Sequence, residues 1–73
     1  MATRKVVVDT SSSKGQLFKV WESGGVFHVY KVNVGFLWDG ETSIGNASSL
    51  ADSIELIKAS VEGTVYDVKI SDW

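Results

Sequence analysis

The sequence predicts an α+β fold: an antiparallel β-sheet of four or five strands with one α-helix packed on one face, in the order β-β-β-β-α-β. Three observations carry this. Short runs rich in β-branched and aromatic residues are separated by Gly- and Ser-rich breaks through the first two thirds of the chain. One stretch, Ser49 to Gly63, has apolar residues at helical spacing and end signals at both termini. After Gly63 the period returns to two. A single helix covers a single face of a sheet, which defines a two-layer sandwich.

The first strand falls on Lys5 to Thr10, where Val6, Val7 and Val8 form an unbroken β-branched run. Ser11-Ser12-Ser13-Lys14-Gly15 is small and polar, hence a loop. Leu17 to Glu22 and Val26 to Val34 are the next two strands, joined at Ser23-Gly24-Gly25 as a hairpin. Two turn placements compete. With Ser23-Gly24 as the turn, Val20 faces Phe27 and Phe18 faces Val29, so these apolar residues share one face. Trp21 opposite Val26, Lys19 opposite His28 and Leu17 opposite Tyr30 then take the other. With Gly24-Gly25 as the turn, Phe18 faces Lys31 and Glu22 faces Phe27. The first register sorts the side chains better and is the one the sequence favours.

Asp39-Gly40, a favoured type I′ pair, predicts a second hairpin between Phe36-Leu37-Trp38 and Glu41-Thr42-Ser43-Ile44, with Trp38 opposite Glu41. Gly35 marks a bulge or bend in the long third strand. For the helix, Ser49 is the cap and Asp52 completes a Ser-x-x-Asp variant of the capping box, with Ser48 as a rival cap. Leu50, Ile54, Ile57 and Val61 fall on one narrow stripe, and Gly63 supplies the C′ position. In the last strand Tyr66, Val68 and Ile70 alternate with Asp67, Lys69 and Ser71, which predicts one buried face.

Composition narrows the function classes. At 73 residues the chain is one small domain, 1–73. Without Cys it has no disulfide framework or Cys-based zinc site, and one His cannot build a His-rich metal site. A 44% hydrophobic content with a net charge of −2 is incompatible with a disordered chain. No apolar run spans a membrane, and Met1-Ala2-Thr3-Arg4-Lys5 lacks a signal-peptide pattern, so a cytoplasmic location is expected.

The candidate functional residues lie on the sheet face turned away from the helix. Trp21, His28, Tyr30 and Lys19 share that face in the favoured register, and Trp38 sits beside the expected Asp39-Gly40 turn. Contiguous uncovered aromatics mark binding surfaces. The leading expectation is a non-enzymatic protein-interaction module contacting its partner through Trp21, His28, Tyr30 and Trp38, with Lys19 at the rim. Self-association as a homodimer, through the face or a sheet edge, is part of it. The alternative is a nucleic-acid-binding module, in which the same aromatics stack bases and Arg4, Lys5, Lys14 and Lys31 contact phosphates. The sequence pI near 5.1 favours protein. Trp73 has two expected placements, packed back on the open face near Trp21 or inserted into a partner, and packing within the same chain is the commoner.

Catalysis has little support. No Gly-x-Ser-x-Gly elbow is present, and Lys19, the expected neighbour of His28, cannot orient an imidazole as a base. Asp39 and Glu41 lack the ligand count of a calcium loop, and Gly24-Gly25 leads into a strand rather than a helix, so it cradles no phosphate. No cofactor or metal is expected.

The strands followed by Ile44-Gly45-x-x-Ser48-Ser49-Leu50 and the helix resemble, in hydrophobic spacing over roughly residues 17–61, the three-stranded-sheet-plus-helix DNA-binding modules of the phage-integrase arm-binding type. That resemblance implies DNA as a partner. The basic residues such modules carry on their strands are mostly missing here.

Overall fold

The computed structural model describes residues 2–34 and 39–73. Five strands, β1 (Ala2–Thr10), β2 (Gln16–Ser23), β3 (Val26–Val34), β4 (Asp39–Ala47) and β5 (Val65–Asp72), form one sheet, with α1 (Leu50–Ser60) between β4 and β5. The sheet order is β4-β3-β2-β1-β5, and every pairing is antiparallel. The expected α+β architecture is the observed one. β1 to β4 form a meander; the chain then crosses through α1 and lays β5 on the far side of β1.

The β2–β3 hairpin adopts the register the sequence disfavours. Ser23 pairs with Val26, Glu22 with Phe27, Val20 with Val29 and Phe18 with Lys31, so Gly24-Gly25 is the turn. Both glycines have positive φ, +60° and +79°. A type I′ turn demands this at both central positions, and Ser23 would adopt it only with strain. Side-chain sorting inside the hairpin was the weaker criterion, because Val6 and Val8 on β1 complete the core around Phe18. Moving a two-residue turn by one position shifts each pair by two, so every side chain keeps its predicted face.

Asp39-Gly40 is not a turn. Asp39 pairs with Val34 and Gly40 with Asn33 at the start of β4, and Gly40 lacks the positive φ a type I′ turn requires. The expected strand Phe36-Leu37-Trp38 and its pairing lie outside the described residues. Farther along β4, the pairing slips between Val29 and Tyr30, leaving Ile44 as the extra residue of a bulge.

The core holds Val6, Val8, Phe18, Val20, Val29 and Ile57, all fully buried between the sheet and α1. Ser49 caps the helix as expected, accepting from the Asp52 amide at 3.1 Å. The capping box is only half made, since the Asp52 carboxylate accepts instead from the Ser48 hydroxyl at 3.4 Å. Of the predicted stripe, Ile57 is fully buried and Leu50, Ile54 and Val61 are half-buried; Ser53 is buried as well. Gly63 has positive φ, +82°, two residues beyond the C-cap Val61 rather than one.

The predicted buried face of β5 is only partly buried. Val68 packs against the core, but Tyr66 is 70% and Ile70 46% exposed. The reason is lateral: α1 sits closest to β4 and β3, whereas β5 is the edge strand at the opposite side of the sheet, beyond β1. Tyr66 is also the extra residue where the β1–β5 pairing slips next to Thr10.

Candidate functional site

Strand alternation places Thr3, Lys5 and Val7 of β1, Leu17, Lys19 and Trp21 of β2, and His28, Tyr30 and Val32 of β3 on the face away from α1. None of these residues is buried; all are half-exposed. Four of the five predicted contact residues, Trp21, His28, Tyr30 and Lys19, therefore come together on one uncovered surface. Trp38 lies outside the described residues.

The register correction changes the neighbours. Trp21, rather than Lys19, faces His28, and the two rings lie 5.2 Å apart between centroids at an interplanar angle of 33°. His28 Nδ1 is 3.1 Å from Asn46 Oδ1 on β4. The imidazole is thus occupied by an amide and an indole, neither of which is a nucleophile.

Lys19 faces Tyr30, and its side chain arches across that ring to an ion pair with Glu41 on β4. The ammonium lies 5.3 Å from the Tyr30 centroid and 6.0 Å from that of Trp73, within the range where a ring face attracts a cation. Trp73 comes to this face as expected: its amide donates to the Thr3 carbonyl at 3.2 Å, extending the β1–β5 ladder, and Thr3 is the strand neighbour of Trp21. The patch thus has a Trp21–His28 pair at one end and a Lys19 ammonium held between Tyr30 and Trp73 beside it. Val7, Leu17 and Val32 extend it with apolar surface that the sequence reading did not assign to the site. Their signal was available in strand parity, but the unbroken Val6-Val7-Val8 run hid the outward position of the middle valine.

The cations of the nucleic-acid alternative are dispersed. Lys5 and Lys19 are on the outer face. Arg4 is on the helix side, 3.3 Å from Glu22, and Lys31 is also on that side opposite Phe18. Lys14 is in the β1–β2 loop. Among the described residues, no three His, Asp or Glu cluster to hold a metal ion, and no helix is long and apolar enough to cross a membrane. An open groove between the end of β4 and α1 is lined by Asn46, Ala47, Ser48, Asp52, Leu56 and Ala59 among others; Ser48 and Asp52 there serve the helix start.

These features define an α+β domain with an uncovered aromatic sheet face that has the paired Lys19 at its centre. No protein-family model, curated protein or solved structure matches the chain.

Proposed function

We propose that this is a non-enzymatic protein-interaction module whose outer sheet face, centred on Trp21, His28, Tyr30 and Lys19, receives a folded protein surface. The observation that carries this reading is the compensation of Lys19. Its charge is already balanced by Glu41 and spread over two rings, so the cation at the centre of the aromatic patch is compensated; the other lysines of the outer face are Lys5, opposite Lys19, and Lys69, paired with Asp67. Tyr and Trp are the residues that anchor protein interfaces. A phosphate backbone asks for the opposite, clustered cations on one face.

The test compares retention of binding proteins from the source organism by the wild type and by Trp21→Ala. The reading expects one protein retained at both low and high salt and lost with Trp21→Ala, at a cost of about 2 kcal/mol or more if the indole is a central anchor. A titration with single-stranded oligonucleotides, followed by Trp fluorescence, decides against it if binding is tight and falls steeply with salt.

A further inference from the structure

We propose that the free edge of β5 pairs antiparallel with β5 of a second copy, about a two-fold axis through Val68, joining two sheets into one of ten strands. This specifies the sheet-edge self-association expected from the sequence, and it uses the strand edge beyond β1 rather than the part of the outer face centred on Trp21, His28, Tyr30 and Lys19.

The sheet has two edges, and they are not alike. β4 carries a bulge at Ile44 and the sequence Asp39-Gly40-Glu41 at its start, features that discourage pairing. β5 has its bulge at Tyr66, next to its first residue, and is regular from Asp67 to Asp72, where it runs in continuous register with β1. Of the four described large apolar residues that are exposed, Tyr66 and Ile70 are on β5 and Trp73 directly follows it, while Val26 begins β3.

The hydrogen-bond phase of the edge follows from one contact. The Trp73 amide bonds inward to Thr3, so by antiparallel alternation Ser71, Lys69 and Asp67 also bond toward β1. Val68, Ile70 and Asp72 turn their amides and carbonyls to the free edge. A two-fold axis perpendicular to the sheet keeps like faces together, so each candidate register is centred on one residue. Centring on Asp67 sets Asp67 against itself, and centring on Lys69 sets Lys69 against itself. Centring on Ile70 sets Val68 against Asp72. Centring on Val68 sets each Asp67 against Lys69 of the second copy and each Tyr66 against Ile70 of the second copy. Val68 is then a hydrogen-bonded pair with itself, and Asp67–Lys69 is a closely spaced non-hydrogen-bonded pair, where side chains approach best. Within one chain Asp67 and Lys69 are only 3.8 Å apart at an exposed position, a contact that leaves both free to engage across the edge.

The experiment is sedimentation at low salt over a concentration series from about 1 μM to 1 mM, the range suited to a small edge contact. It compares the wild type, Asp67→Lys, Lys69→Glu and the double charge swap. The two side chains are 48% and 76% exposed, and circular dichroism checks that each variant keeps the fold. The wild type is expected to dimerise, and each single variant to dimerise about tenfold more weakly or worse, since both cross-edge pairs become repulsive. The double swap should recover dimerisation, and the two single variants mixed together should form a heterodimer. A wild type that stays monomeric throughout, or single variants that dimerise as tightly as the wild type, overturns the proposal. Trp21→Ala should leave this dimer intact; its loss there would assign self-association to the outer face instead.

Discussion

Thr10 does more than its place at the end of β1 suggests. It is almost wholly buried, and its hydroxyl accepts from the amides of Ser13 at 3.1 Å and Ser12 at 3.3 Å while lying 3.1 Å from the Ser13 carbonyl. It thus organises the serine-rich loop from inside. Thr10→Val keeps the shape and deletes the hydroxyl; the expected loss is about 1–2 kcal/mol by urea unfolding, because loop amides lose their acceptor. The same loop fixes Gly63. Ser12 Oγ donates to the Glu62 carbonyl at 2.9 Å, and Ser11 and Thr64 exchange two bonds of 2.9 Å. A side chain at position 63 would collide with the Ser11 hydroxyl and come within 3.3 Å of the Ser12 backbone nitrogen. None of this was legible in the sequence, where Ser11-Ser12-Ser13 is simply small and polar. A loop's partners 50 residues away leave no local trace.

At the scale of elements, local periodicity says which way side chains point but not what covers them. The helix and its Ser49 cap were legible because both signals are contained within a few residues. Replacing Ser49 with Ala should cost about 1 kcal/mol in thermal or urea unfolding by leaving the Asp52 amide without its acceptor. The outer-face residues were legible for a similar reason: parity survives a turn misplaced by one position. The pairing itself was not, since the positive φ of two adjacent glycines outweighed a tidier arrangement of side chains. β5 was misjudged because its alternation is the same whether or not a helix lies above it. Ser53 and Leu56 of α1 carry the complementary lesson. A buried serine and a glycine at position 45, where a Cβ would sit 3.4 Å from Leu56, let the helix settle close to β4 and β3.

For the whole molecule, the order β4-β3-β2-β1-β5 mixes two kinds of contact. Each meander strand pairs with its sequence neighbour, whereas β5 pairs with β1 across nearly the full length of the chain. Long loops must close before such a pairing gives any return, so β5 docking is expected late. Gly63→Ala is a probe of that step. Its strain, about 1–2 kcal/mol before any clash, should appear almost wholly as unfolding about tenfold faster, with the folding rate nearly unchanged in stopped-flow experiments. A matching drop in folding rate would place β5 docking in the transition state. The Trp73–Thr3 contact has a mechanical consequence too. It sets residues 3 and 73 side by side at one end of the β1–β5 ladder, so a pull applied through them loads the ladder one hydrogen bond at a time, as in unzipping, rather than all at once in shear. Stretched along its chain, the domain would yield at low force. It would shed β5 first and leave the meander folded behind it.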